Sequence, residues 1–336
     1  MNTKPKQSDS VPPLGVRGPK IIRLGTRDSE LALWQAHTVQ QKLQDLGYKT
    51  EIVAVKSQGD IILDKPLYEL GITGIFTKTL DIAMINGQID IAVHSMKDVP
   101  TALPTGIVQA AVLERASTLD ILIHKGNLEF LENSGTIATG SLRRQAMWWN
   151  KYPSHKVVDL RGNVNTRLQK LKENDWNGAV FAAAGLERLG LIPNLSPKEK
   201  SAENKLDFIN LNWMIPAPAQ GAMVVAAMGN DDFTLDALRQ LNHIETEICT
   251  SIERQFLKTL EGGCTAPIGA LAIYNEEEDT IYFQGVLLSI DGKKKLEIEK
   301  KVDISQWKKL GFYAAQEILN NGGGELMKEI KASLKK

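Results

Sequence analysis

Two α/β lobes closing on a cleft, followed by a small α+β unit, is the architecture this sequence predicts. Three observations carry that expectation. At 336 residues the chain exceeds what one hydrophobic core serves. Strand-like runs and helix-like periods alternate in two successive series, the pattern of sheets flanked by helices. Near Thr234 the texture changes to helices followed by short alternating strands. With 43% hydrophobic and 24% charged residues, the chain has the apolar content to fill several cores.

The elements follow in order. Residues 1–19 hold four prolines (Pro5, Pro12, Pro13, Pro19) among Ser, Lys and Gly, without an apolar run of signal-peptide length, and read as a flexible tail. A strand over 21–25 is followed by the corner Thr26-Arg27-Asp28-Ser29. Ala32, Ala36, Val39, Leu43 and Leu46 then recur at spacings of four and three, an amphipathic helix capped by Asp28 or Ser29. A strand at 51–55, a helix over about 76–86 and a strand at 90–94 complete the first series, for which a parallel sheet is expected. The second series places strands at 121–124, 136–139, 157–160 and 179–183, with helices starting at Ser141, Asn163 and Leu186. Residues 192–205 are polar and read as a surface loop. Pro216 to Gly221 then leads into an apolar run, 222–227, expected to return to the first lobe as an extra strand. The expected domains are therefore 20–115 with 216–233, 116–215, and 234–336. In the last of these, helices run to Leu260, strands lie near 271–274, 280–288 and 294–302, and a helix over 306–319 precedes a basic tail.

Charge and cysteine content narrow the function classes. Forty basic and forty acidic side chains balance, so overall charge gives no sign of a nucleic-acid partner. Locally, residues 141–167 hold six cations (Arg143, Arg144, Lys151, Lys156, Arg161, Arg167) against one acid, Asp159, a setting suited to a small polyanion. The longest strongly apolar run, 222–228, is far short of a membrane span, so no membrane partner is expected. Only Cys249 and Cys264 are present, which points to a reducing compartment and a cytoplasmic location. Nothing requires more than a monomer.

Ligands of open α/β sheets bind beyond the carboxyl ends of the strands. The polar residues there form a consistent set: Arg27 and Ser29; Ser95, Lys97 and Asp98; Thr139, Ser141, Arg143 and Arg144; Arg161, Asn163 and Arg167; Arg188. Each arginine alone reads as a solvated or ion-paired surface residue. Their repetition beside helix N-termini favours carboxylate or phosphate binding, because guanidinium binds such oxygens bidentately. Asp98 reads either as a salt-bridge partner of these cations or as a carboxylate that stabilises a cationic intermediate. His94 reads as packed. No spacing suits a metal site, a P-loop or a dinucleotide fingerprint. Cys264 follows Gly262 and Gly263, with Pro267 and Gly269 after it, and reads equally as a thiol tucked under a turn or as one meant to be reached.

Five motifs then resemble one family: Ile91-Ala92-Val93-His94-Ser95-Met96-Lys97-Asp98-Val99-Pro100, Gly140-Ser141-Leu142-Arg143-Arg144-Gln145, Leu160-Arg161-Gly162-Asn163-Val164-Asn165-Thr166-Arg167, Ala184-Gly185-Leu186-Glu187-Arg188-Leu189-Gly190 and Leu260-Glu261-Gly262-Gly263-Cys264. They are similar to those of porphobilinogen deaminase (hydroxymethylbilane synthase), in order over about residues 20–275. The resemblance implies two periplasmic-binding-protein-like α/β domains forming a cleft, plus a small C-terminal α+β domain. It implies a transferase that condenses four porphobilinogen molecules head to tail, releases ammonia at each step and frees linear hydroxymethylbilane for tetrapyrrole synthesis. It further implies a dipyrromethane cofactor joined by a thioether to Cys264. Ser95, Lys97, Thr139, Ser141, Arg143, Arg144, Arg161, Asn163, Arg167 and Arg188 would hold the cofactor, and Arg27, Ser29, Gln35, Phe76 and Gln220 the substrate. Asp98 would stabilise the electron-poor azafulvene left when ammonia departs. Two positions depart from the family pattern: Thr73 stands where a loop lysine is common, and Ala226 where an acid often follows the Gln-Gly-Ala strand. A two-lobed anion-binding receptor or regulatory domain, with no chemistry, is the alternative reading of the same clamp.

Overall fold

The computed structural model describes residues 20–55, 77–192, 206–260 and 266–334. Thr73, Phe76 and Cys264, and most of the loop expected over 192–205, lie outside them.

The first sheet has strand order β2-β1-β3-β10-β4, built from β1 (Ile21–Arg27), β2 (Lys49–Val55), β3 (Ile91–Ser95), β4 (Ile107–Val112) and β10 (Met223–Met228). Helix α1 (Glu30–Asp45) packs Ala32, Ala36, Val39 and Leu43 inward, the stripe its spacing predicts, and Ser29 is its N-cap. Leu46 falls just past the helix and is exposed. Helix α2 (Lys78–Ile85) buries Leu80, Ala83 and Met84. The second sheet has order β7-β6-β8-β5-β9, from β5 (Asp120–His124), β6 (Thr136–Ala138), β7 (Lys156–Val158), β8 (Gly178–Ala182) and β9 (Phe208–Asn210). Helices α3 (Leu142–Lys151), α4 (Val164–Glu173) and α5 (Ala183–Arg188) accompany it.

The expected all-parallel sheets need correction. Strand β10 runs antiparallel to both β3 and β4, and β5 antiparallel to both β8 and β9. The chain crosses between the lobes twice, so each strand that enters from the other lobe runs against its neighbours. Strands β4 and β9 are not among the expected elements, although Pro104-Thr105-Gly106 immediately before β4 is a turn signal, closed by Ile107 N donating to Pro104 O. Helix α5 begins at Ala183, not Leu186, because β8 turns directly into it. Ala226 sits within β10 with Leu80, Met84, Ile89 and Ile107 in one apolar cluster, surroundings in which alanine needs no partner and an acid would.

The two crossovers lie side by side. Ala116 N donates to Gly221 O at 3.2 Å and Leu113 N to Met223 O at 3.1 Å. Gly221 has φ +88°, and a Cβ there would lie 2.5 Å from Ala116 O, so only glycine fits this approach. Ala219 takes φ +62°, a conformation that costs an L-residue about 1 kcal/mol or more. Its N–H donates to Glu253 Oε2 at 2.6 Å, which holds it there.

The third unit is an antiparallel meander of β11 (Ile268–Asn275), β12 (Thr280–Leu288) and β13 (Lys295–Asp303), covered by helices α7 (Ile244–Thr259), α8 (Leu310–Ile318) and α9 (Gly324–Ser333). A shorter helix, α6 (Asp232–Arg239), precedes α7. Phe256 and Phe283 meet edge to face at the centre, with ring centroids 5.3 Å apart. The segment expected as a basic tail is α9, whose Leu326, Met327 and Ile330 join this core while its lysines face outward. The helix expected from Gln306 is a 3-10 turn (Ile304–Lys309) leading into α8. Glu253 of α7, fully buried, forms a bidentate pair with Arg115 (Oε1–Nη1 2.6 Å, Oε2–Nη2 2.9 Å) and also accepts from Ala272 N at 2.8 Å. That one carboxylate ties the third unit to both crossovers.

Candidate active site

Polar side chains from both lobes meet at the strand ends. Strand β3 runs into a 3-10 turn, Met96–Asp98. Ser95 Oγ accepts from Gln35 Nε2 at 2.9 Å, and Lys97 Nζ donates to Gln220 Oε1 at 3.2 Å. Gln220, on the crossover before β10, is almost fully buried. Its Nε2 donates to Thr118 O at 2.8 Å and to Asp120 Oδ1 at 3.0 Å. Asp120 in turn accepts from Arg144 Nε at 3.0 Å and Nη2 at 2.7 Å, and its Oδ2 lies 2.7 Å from Arg143 Nη1. A continuous polar chain thus runs from Lys97 of the first lobe to the paired arginines of the second.

Asp120 is the group that sequence reasoning missed. It opens the apolar strand Asp120-Ile121-Leu122-Ile123, where an acid with no partner in view was the only available signal. Burial opposes its ionisation, but the Arg143 and Arg144 guanidinia outweigh that and hold the carboxyl far below the usual range. Arg144 Nη1 also donates to Val180 O at 3.0 Å and Arg143 Nη1 to Ile215 O at 2.8 Å. Nε of Arg143 is buried without a hydrogen-bond partner among the described residues.

The next strand end adds three more groups. Gly162 takes φ +118°, which turns the chain after Arg161 into α4, and Asn163 caps that helix by accepting from Thr166 N at 2.9 Å. Arg167 Nε donates to Gly162 O at 2.6 Å. Its guanidinium is pushed down to about 10 by burial and by the nearby positive charges of Arg144 and Arg161. Arg161, also buried, is lowered by burial against the opposing pull of Asp159. At the preceding strand end, Thr139 Oγ1 accepts from Ser141 N at 3.3 Å, and Ser141 caps α3 through a long 3.5 Å bond from Arg144 N. Arg188, at the end of α5, donates from Nη2 to Gly221 O at 2.6 Å and lies over the Trp34 ring at 5.7 Å, with burial pushing it down to about 10.

Asp98 stands apart from these pairs. Its charge acts on Lys97 in its own lobe and on Arg167 in the other. Among the described residues the carboxylate that neutralises the arginines by direct contact is Asp120, through Arg143 and Arg144. His94 is packed, as its place in the strand suggests, and burial with the nearby Arg27 charge pushes it down to about 4, so it is neutral at pH 7. Ser29 caps α1 by backbone position only, without a hydroxyl bond. Burial is the main cause of the lowered values of Lys97, Arg161 and Arg167, and at Lys97 and Arg167 the charges of neighbouring arginines add to it, so a bound polyanion would favour the charged forms.

Lys97 gives a pH-dependent expectation. Burial, then the Arg144 charge, lowers its ammonium from 10.5 to about 8. Between those values the unfolded chain binds more protons than the folded one, so the Lys97 contribution makes stability rise with pH across that window. Anion capture through Lys97 runs the other way and weakens as pH climbs through about 8. Lys97→Arg, whose charge does not titrate there, is expected to flatten the rise in KM between pH 7 and 9. Equal pH profiles for wild type and variant would remove Lys97 from anion binding.

Comparisons with known proteins come from two directions. The family model described as "Porphobilinogen deaminase, dipyromethane cofactor binding domain" matches residues 22–236, and "Porphobilinogen deaminase, C-terminal domain" matches 247–320. A probable porphobilinogen deaminase of Methanocaldococcus jannaschii is 42% identical over 85% of this chain and 94% of its own. The porphobilinogen deaminase of Desulfitobacterium hafniense is 39% identical over 94% of this chain and 99% of its own. The chloroplastic enzyme of Oryza sativa is 43% identical over 81% of this chain and 75% of its own.

Proposed function

The chain belongs to the porphobilinogen deaminase family, and from that premise we propose that its strand-end cations hold the carboxylates of a growing pyrrole chain while Asp98 carries the chemistry. The protein is a transferase of tetrapyrrole biosynthesis that condenses four porphobilinogen molecules head to tail, with loss of ammonia, on a dipyrromethane primer. One observation supports the assignment of roles above the others: half-buried Lys97 of the first lobe converges with Arg143, Arg144, Arg161 and Arg167 of the second, and the neighbouring arginines add to what burial does in lowering Lys97 and Arg167. A dipyrromethane fits this donor set, because each of its rings carries an acetate and a propionate. The buried Nε of Arg143, without a hydrogen-bond partner among the described residues, is a further donor for them.

When bound, the primer supplies the electron-rich pyrrole carbon from which the chain grows. Cys264 holds it through a thioether. Lys97, Arg143, Arg144, Arg161, Arg167 and Arg188 bind and orient the carboxylates, with Ser95, Thr139, Ser141 and Asn163 adding hydrogen bonds from strand ends and helix caps. Arg27, Ser29 and Gln35 would bind the incoming substrate, together with Phe76, which lies outside the described residues. Gln220 orients Lys97, since its amide joins that ammonium to Asp120. Asp98 offers a fixed negative charge where substrate becomes cationic as ammonia leaves, and accepts from pyrrole N–H groups. We place the enzyme in the cytoplasm as a monomer. The buried free thiol of Cys249 suits a reducing compartment, and among the described residues no helix is long and apolar enough to cross a membrane.

Incubation with porphobilinogen tests the reading. Release of one ammonia per substrate consumed, with a linear tetrapyrrole as product, is expected; saturable binding without ammonia is what an anion-binding receptor would give. Arg161→Ala is expected to keep secondary structure and to weaken primer or substrate binding by about 1.5 to 3 kcal/mol, the worth of one charge-assisted contact. Lysine at 161 restores part of it. Wild-type kinetics with a full pyrrole complement in the Ala variant would make Arg161 an ordinary structural arginine.

A further inference from the structure

The turn that bears Asp98 is short and leans on a neighbour outside its own lobe. It spans three residues, Met96–Asp98, closed by Val99 N donating to Met96 O at 3.2 Å. A 3-10 turn of this length has poorer hydrogen-bond geometry than an α-helix and does not fix its own backbone well. Two restraints act from outside. The Met96 and Val99 side chains are buried with Val112, Ala219 and Ala222. Arg254, on α7 of the third unit, grips the backbone: Nη1 donates to Val99 O at 2.9 Å and to Met96 O at 3.3 Å, and Nη2 donates to Pro100 O at 2.6 Å. These carbonyls bracket Lys97 and Asp98 on both sides.

A planar guanidinium sets its donors in one rigid fork, so three carbonyls on one fork are fixed relative to each other. Within α7, Arg254 directly follows Glu253, which holds Ala219 beside Gln220. Adjacent residues of one helix therefore hold the turn of Asp98 and the turn of Gln220, the residue bonded to Lys97. We propose that Arg254 is a positioning residue for pyrrole condensation: through the carbonyls of Met96, Val99 and Pro100 it fixes the backbone from which Asp98 faces the substrate. This rests on the reading that Asp98 carries the chemistry. A residue that served only to join the third unit to the first lobe would alter stability and leave the chemical step of folded, loaded enzyme unchanged.

The test uses full-length, pyrrole-loaded protein, with loading verified by intact mass. Arg254→Met, Arg254→Lys, Asp98→Asn and the Met/Asn double variant are compared by single-turnover ammonia release and by steady-state kinetics. Misplacement of one reacting group by a fraction of an ångström to an ångström costs up to about a hundredfold, so Arg254→Met is expected to lower kcat about tenfold or more with KM nearly unchanged. Arg254→Lys, which keeps the charge and loses the fork, is expected to fall between Met and wild type. The decisive readout is the double variant, expected within about twofold of Asp98→Asn alone, because residues acting through one another do not add. Loaded Arg254→Met at the wild-type rate, or losses that multiply in the double variant, overturns the proposal. If the Met variant does not fold, Arg254→Lys and its double variant with Asp98→Asn carry the same test: the loss caused by Lys must vanish in the Asn background. Wild-type turnover by Asp98→Asn removes the reading beneath the proposal, whereas a slow Asn variant with a fast Met variant removes the proposal alone.

Discussion

Cys264→Ser yields a folded protein that carries no pyrrole adduct and turns over no porphobilinogen. A hydroxyl is a far weaker nucleophile than a thiol at neutral pH, so thioether attachment has no substitute there. The fold is expected to persist, since the core of the third unit is built from Phe256, Ile268, Phe283 and Leu287 with the faces of α8 and α9. The remaining cysteine offers no rescue. Cys249 is buried on α7, and burial together with the Glu253 charge pushes its thiol up to about 11, so it stays protonated at neutral pH. Intact mass and the thermal midpoint check both parts. A Ser variant that still carried the adduct would end the attachment hypothesis.

Asp98→Asn removes a charge while keeping size and some hydrogen bonding. Turnover is expected to fall by about a hundredfold or more, the loss typical of one preorganised electrostatic group at a reacting centre. Asp98→Glu keeps the charge and is expected to retain more. Both variants should still hold the primer, because the cations of the strand ends are proposed to bind its carboxylates. Were Asp98 merely an ion-pair partner, the Asn change would lower the thermal midpoint modestly and leave the rate unaltered. Single-turnover ammonia release set beside the midpoint separates these outcomes.

The strand ends were legible because the chemistry repeats there. Arg27, Lys97, Arg143 and Arg161 follow successive apolar runs, and the structure places them at or just past strand ends, with Arg167 in the first turn of α4 and Arg188 at the end of α5. What the sequence does not reveal is which acid pairs with which base. The carboxylate that bonds Arg143 and Arg144 is Asp120, more than twenty positions upstream, brought to them because β5 lies beside β8 in the sheet interior. Strand direction was hidden for a similar reason: β5 and β10 have the same apolar texture whether they run with or against their neighbours. Helix α9 was masked by its lysines, because Leu326, Met327 and Ile330 are few enough to be overlooked until a core is there to receive them. The roles of Glu253 and Arg254 depend on contacts 34 and about 155 residues away in sequence, beyond the reach of any local pattern.

The central claim is that chemistry proceeds on a primer fixed to one thiol. Fragmentation mass spectrometry of the proteolysed, purified enzyme tests it most directly. The account predicts a mass increment equal to two condensed pyrrole units on the peptide containing Cys264, with the Cys249 peptide unmodified. An increment on Cys249, or an active enzyme with both peptides unmodified, would contradict it.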